Sequence, residues 1–195
     1  MRRPLHKLAA LALALGAILV ISACGDSHTK VTTGTYAGEG GVNAPYLNVG
    51  PLVYEVQLSR ELNPYDSEDA TYLQGLTAAE RKLKPGQEWF GVFVQVYNHT
   101  SQTQVAANSM TITDTQGNSY IPLVPSGSNP FIYRAGTVQA KNQIPIPNSI
   151  AADGPTQGAL LLYKIQIASL DNRPLTIKIV SPSNPSQTAS AELDV

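Results

Sequence analysis

The chain contains a single cysteine, Cys24. No disulfide can close within it, and its core has to be held by hydrophobic burial alone. Histidine is nearly as scarce. Three are present, and two of them, His6 and His28, precede the first strand-like segment, which leaves His99. One histidine without a thiol beside it excludes a zinc site of nitrogen and sulfur ligands. Charged residues make up 14% of the chain and form no basic block, which excludes nucleic acid as a partner. The longest apolar run, Leu8 to Ile21, falls short of the ~20 residues that a membrane-spanning helix needs. The glycines at 38, 40 and 41 are followed by no Lys-Ser/Thr pair, so they form no phosphate loop. No Gly-x-Ser-x-Gly elbow for a nucleophile occurs.

What is present begins at the first residue. Arg2, Arg3 and Lys7 precede the uncharged run Leu8–Ile21, and Ser22-Ala23 supply the small residues of a cleavage site. Cys24 directly after that pair resembles the lipobox of bacterial lipoproteins. The resemblance implies a lipoprotein signal peptide over 1–23, cleavage before Cys24 and diacylglycerol on its thiol. It places the chain on the extracytoplasmic face of the cell membrane. Two acyl chains on one residue meet the condition for stable anchoring, where a single chain binds marginally. Ordinary cleavage would instead leave a free thiol in an oxidising compartment, which is a liability. Arg2-Arg3 is faintly similar to a twin-arginine export signal, but Pro4 follows, and the pair reads as a plain basic n-region.

Beyond Cys24 the balance is mildly acidic, because three of the thirteen Lys and Arg lie in the segment to be removed while all fourteen Asp and Glu remain. Residues 24–48 are Gly- and Thr-rich without apolar period, and are expected to form a flexible tether behind the lipid. Residues 181–195 are Pro-, Ser- and Asn-rich and are expected to be a disordered tail. Between them, 49–180 carries strand signals. Leu52–Leu58 alternates, with Tyr54, Val56 and Leu58 expected on one face. In Glu88–Asn98, Phe90, Val92, Val94 and Val96 alternate on one face. Met110–Asp114 and Ser119–Leu123 flank a Gly/Asn turn, as in a hairpin. Leu160–Ile167 and Leu175–Val180 are further strands, the latter with Leu175, Ile177 and Ile179 inward. The only helix signal is Thr77-Ala78-Ala79-Glu80, a capping box that Pro85-Gly86 stops. Many short strands and almost no helix predict an all-β sandwich with one short helix in a long insertion, Leu62–Pro85.

Tyr97-Asn98-His99-Thr100, then Asp114-Thr115-Gln116-Gly117-Asn118-Ser119-Tyr120, then Gly158–Tyr163 resemble the strand, hairpin and return strand of a group of Gram-positive extracellular lipoprotein domains. That group includes secreted immunoprotective antigens and a domain family of unknown function. The resemblance spans roughly 49–180 and implies an immunoglobulin-like β-sandwich without a known enzymatic role. The insertion Leu62–Pro85 and the segment Asn148–Gln157 depart from the pattern. Any distinct function is expected there, since loops on a rigid sandwich carry binding.

Candidate chemistry is thin. His99 with Ser101 or Ser109 and Asp114 supplies the residue types of a hydrolytic triad without a supporting motif. Asp66, Glu68 and Asp69 put three carboxylates within four residues, the raw material of a weak calcium site, although no EF-hand spacing accompanies them. A solvated acidic loop is the plainer reading. Asn98-His99-Thr100 has the form of a glycosylation sequon and reads as a turn. The richest stripe is Trp89, Phe93 and Tyr97, opposite Phe90–Val96 on the main strand. A strand with one wet face alternates apolar with polar, whereas here both faces are apolar. Either the insertion covers the stripe with Tyr65, Tyr72, Leu73 and Leu76, or the stripe is open and binds an envelope protein or a glycan. The expected function is a membrane-anchored, non-enzymatic interaction module of the cell envelope with no cofactor other than its lipid. The alternative is a solute- or calcium-binding accessory lipoprotein.

Overall fold

The computed structural model describes residues 29–33 and 46–194. Cys24, the signal segment 1–23 and the tether residues 25–28 and 34–45 lie outside the described residues. Twelve strands are described: β1 Thr29–Thr33, β2 Tyr46–Val49, β3 Leu52–Leu62, β4 Gln87–Tyr97, β5 Gln104–Val105, β6 Ser109–Thr113, β7 Ser119–Tyr120, β8 Thr137–Val138, β9 Gln143–Ile144, β10 Ala159–Gln166, β11 Leu175–Val180 and β12 Thr188–Asp194. Four short helices accompany them: α1 Ser67–Tyr72, α2 Ala78–Arg81, α3 Ile150–Asp153 and α4 Ala168–Asp171.

The strands form an all-β, immunoglobulin-like sandwich. One sheet runs β1-β12-β11-β6-β7 and the other β10-β4-β3-β2, with β9 continuing the β10 edge along β4. The main strand behaves as its alternation predicts. Phe90, Val92, Val94 and Val96 are fully buried between the sheets against Ile112, Ile177 and Ile179. Each such side chain stabilises by roughly 1.5–3 kcal/mol. Tyr54, Tyr133 and Tyr163 reach through this core and anchor their hydroxyls on the backbone of Ala107 or Met110.

A second core lies on the outer face of the β10-β4-β3-β2 sheet. Leu62, Tyr72, Leu73, Leu76, Trp89 and Phe93 pack there with Phe131, Leu160 and Leu162. The insertion Leu62–Pro85 therefore folds over the aromatic stripe, and the molecule has a third, partial layer. Tyr72 meets Phe93 edge-on at 5.1 Å and Phe131 at 4.9 Å. Tyr65 does not join them: it is 96% exposed at the loop tip.

Four expectations need correction. The insertion holds two helices, not one, because Asp66 caps α1 by accepting from the backbone N–H groups of Glu68 and Asp69. Leu58 is not on the face of Tyr54 and Val56. The β3–β4 register slips between Val56 and Leu58, so Gln57 is the extra residue of a bulge and Leu58 turns outward to the second core. The tail 181–195 is not disordered throughout, since β12 pairs with β11 from Thr188 to Leu193 and buries Ala189, Ala191 and Leu193. Nor is all of 24–48 a tether: β1 pairs in parallel with β12, from Thr29–Ser190 to Thr33–Asp194, and Tyr46–Val49 is β2.

Candidate binding site

Of the two readings of the aromatic stripe, the fold takes the covered one. Trp89 is 3% exposed and Phe93 is fully buried. The Lys164 ammonium lies 5.0 Å above the Trp89 ring and donates to the Lys82 carbonyl, sealing that edge. Only Tyr97 of the three is half-buried, and its hydroxyl is engaged with Glu55 at 3.0 Å and with Gln95.

The acidic segment is likewise used by the fold. Asp66 is the α1 cap. Asp69, almost wholly buried, takes a two-pronged ion pair from Arg60 at 2.5 and 3.0 Å and accepts the Asn63 N–H at 2.7 Å. Glu68 accepts from the Tyr72 hydroxyl and lies 3.7 Å from Arg60. The Arg60 guanidinium supplies the positive charge between Glu68 and Asp69. Among the described residues no group of three or more His, Cys, Asp or Glu can hold a metal ion. The fold thus commits Asp66 to a helix cap and Asp69 to an ion pair.

The triad does not assemble either. His99 is exposed and stacks on Tyr97 with ring centroids 5.7 Å apart. Asp114 sits at the opposite end of the sandwich, in the β6–β7 turn. There it accepts from the Gln116 and Asn118 N–H groups, the Asn118 amide and the Ser169 hydroxyl. Desolvation pushes its pKa up, but these bonds prevail and hold it below the ordinary carboxylate range. Asp114 is a turn-forming residue.

Two features were not legible in the sequence. The first is a polar group on the outer face of the β3–β4 sheet. Glu55 is 2% exposed, accepts from Tyr97, and has burial pushing its carboxyl up against the opposing pull of its Tyr97 and Gln57 bonds. Burial, then the nearby Glu55 charge, pushes the Tyr97 phenol well above its usual value. The second is a groove of about 370 Å³ where the chain from Pro130 to Ile146 wraps the β10 edge. Phe131, Ile144, Pro145 and Ala151 line it together with Arg134, Asn142 and Gln143. Ile146, 68% exposed, stands on its rim. Arg134 makes no hydrogen bond or ion pair among the described residues. The volume falls within the range of ligand sites, and an apolar floor with a few polar groups is their usual composition. No sequence period marks the groove, because its walls are loops separated by up to 29 positions in the chain, from Pro130 to Ala159.

No protein-family model matches the chain, and no curated protein matches it. Among solved structures it is similar to the ycdA protein of Bacillus subtilis, provisionally described as a lipoprotein, at 9% identity and a TM-score of 0.46 over 76% of this chain. The chain spans 38% of that protein's length. It is similar to the yjhA protein of the same organism at 11% identity and a TM-score of 0.46, covering 76% of this chain and 96% of that one. A β-sandwich protein of Clostridium difficile gives 9% identity and a TM-score of 0.43 over 85% of this chain and 96% of its own. The fold itself rests on the strands of this chain, which build an all-β sandwich with a half-covered outer face.

Proposed function

We propose that this protein is a lipid-anchored, extracytoplasmic interaction module that binds another envelope protein and performs no catalysis. The observation that carries the reading is the groove at the β10 edge. With the aromatic stripe covered and the acidic loop neutralised, the groove offers an open, concave apolar surface, and Arg134, which has no partner among the described residues, adds an anion-recognising group. The lipobox-like Ser22-Ala23-Cys24 supports the location. The separation of His99 from Asp114 supports the absence of hydrolytic chemistry.

The test is site-specific photocrosslinking in intact membranes. A photoreactive residue at Ile146 should give one adduct of defined mass, weakened at least tenfold by Arg134→Glu. The same residue at Gln116, in the exposed β6–β7 turn, should give none. Adducts that ignore Arg134→Glu, or an ester or amide hydrolysis lost in His99→Ala, would overturn the proposal.

A further inference from the structure

The pairing of β1 decides how close the body stands to its anchor. Thr29 lies opposite Ser190, two positions inside the start of β12 at Thr188. Only residues 25–28 separate it from Cys24. Their greatest reach is about 18 Å. About 7 Å of it is used in passing the two positions to the end of the sheet, at ~3.3 Å per residue. About 11 Å remain beyond that end. The headgroup layer of one leaflet is itself roughly 5–8 Å thick. A lipidated Cys24 therefore leaves at most about 3–6 Å between the end of the sheet and the headgroup layer.

The same pairing says which end faces the lipid. The chain arrives at β1 from the side of Thr188, which pairs with Val180, which pairs with Ser109. The other sheet contributes its Gly50-Pro51 turn there, since Asn48 and Gly50 line one crevice with Ser186, Gln187 and Thr188. Val53 pairs with Tyr97, and Asn98 bonds Asn142, so the segments 98–105 and 138–143 lie at this end as well. These four segments, 50–51, 98–105, 138–143 and 181–187, contain no Asp or Glu. Their one formal charge is Lys141. Pro51, Val105, Pro182 and Pro185 are exposed among Asn, Gln, Ser and Thr. The carboxylates Glu61, Glu88, Asp114 and Asp171 belong to the opposite end. Apart from Asp26 in the link to Cys24, these loops of a net acidic chain bring no carboxylate toward the anchor, within a Debye length of ~8 Å of the surface.

The geometry points to a fixed orientation: this end docks on the headgroups of the bilayer, with the 98–105 and 181–187 loops in contact and the Asp114–Asn118 turn outermost. The inference rests on the lipid anchor of the proposed function, and its test separates the two. The occupant is an anionic phospholipid surface, to which the four loops offer the Lys141 ammonium and no carboxylate.

The test uses the full chain, lipidated at Cys24 in the producing cell and reconstituted in vesicles of three parts phosphatidylethanolamine to one part phosphatidylglycerol. Because Cys24 is the sole thiol and is blocked by lipid, one spin label can be placed on Val105→Cys, Ser183→Cys or Gln116→Cys, all exposed positions. At 105 and 183, collisions with a water-soluble nickel chelate should fall at least threefold relative to the same label on unlipidated Cys24→Ala protein, and collisions with oxygen should rise. At 116 both should be unchanged. Equal accessibility at all three positions on protein whose mass shows the acyl chains overturns the orientation and leaves the anchor standing. A mass without acyl chains on Cys24 overturns the anchor, and the orientation with it.

Discussion

Gln57 is one residue too many for the β3–β4 ladder, and that surplus allocates the side chains around it. Before the bulge, even-numbered residues face the inter-sheet core; after it they face outward, so Leu58 serves the second core and Ser59 points inward with its hydroxyl unpaired. Glu55 and Gln57 form the polar patch beside the bulge with Tyr97 and Gln95. A carboxyl whose pKa is raised by burial binds its proton more tightly folded than unfolded. Stability therefore falls as pH rises through the window between the ordinary glutamate value of 4.5 and the raised one. Glu55→Gln keeps an acceptor for the Tyr97 hydroxyl and removes that titration. The variant should be more stable than the parent at pH 7, with a flatter pH dependence of the urea midpoint between about pH 4 and 7. Alternation read from the sequence cannot reveal a bulge, because an extra residue leaves every local propensity unchanged. The alternation therefore puts Leu58 on the wrong face and Tyr54 and Val56 on the right one.

The insertion is the element that most alters what the protein can offer. Its regular apolar spacing, Tyr72, Leu73 and Leu76, marked it as a cover over Trp89 and Phe93, and those three residues are buried as that spacing implies. Tyr65 has the same chemistry but belongs to the turn ahead of the α1 cap, and so faces solvent. The capping box at Thr77–Glu80 is present in both halves, because a reciprocal side-chain pair needs no tertiary partner to form. Helix α1 was harder to see, since its cap, Asp66, lies in a run of acids that resembles a ligand set. Tyr72 is the centre of the cover, so Tyr72→Ala should destabilise the domain by about 3–5 kcal/mol. Trp89 is the sole tryptophan. Loosening of the cover should therefore appear as a red shift of its emission at urea concentrations below the main transition.

For the whole molecule, the sandwich was legible and its boundaries were not. Strands β4, β10 and β11 are rich in Val, Ile, Leu and Phe, which declare a buried face. The segment Thr188–Asp194 alternates too, through Ala189, Ala191 and Leu193, but alanine is a weak apolar signal and the surrounding Pro, Ser and Asn read as disorder. Its burial is decided by β11 and β1 on either side, which no local pattern reports. A chain ended after Val180 would lose β12, uncover Leu175, Ile177 and Ile179, and leave β1 without its partner. Such a truncation should fail to give the cooperative thermal transition of the full chain, as circular dichroism would register. The groove at the β10 edge was invisible in the sequence for a related reason, since its walls are distant segments brought together by the fold.

The parallel pair β1–β12 also sets an order of events. During synthesis the chain emerges N-terminus first, so the segment that becomes β1 appears long before its partner, some 160 residues later in the chain. That edge of the sandwich cannot close until β12 has emerged, and the pairing of the first described strand waits on that of the last.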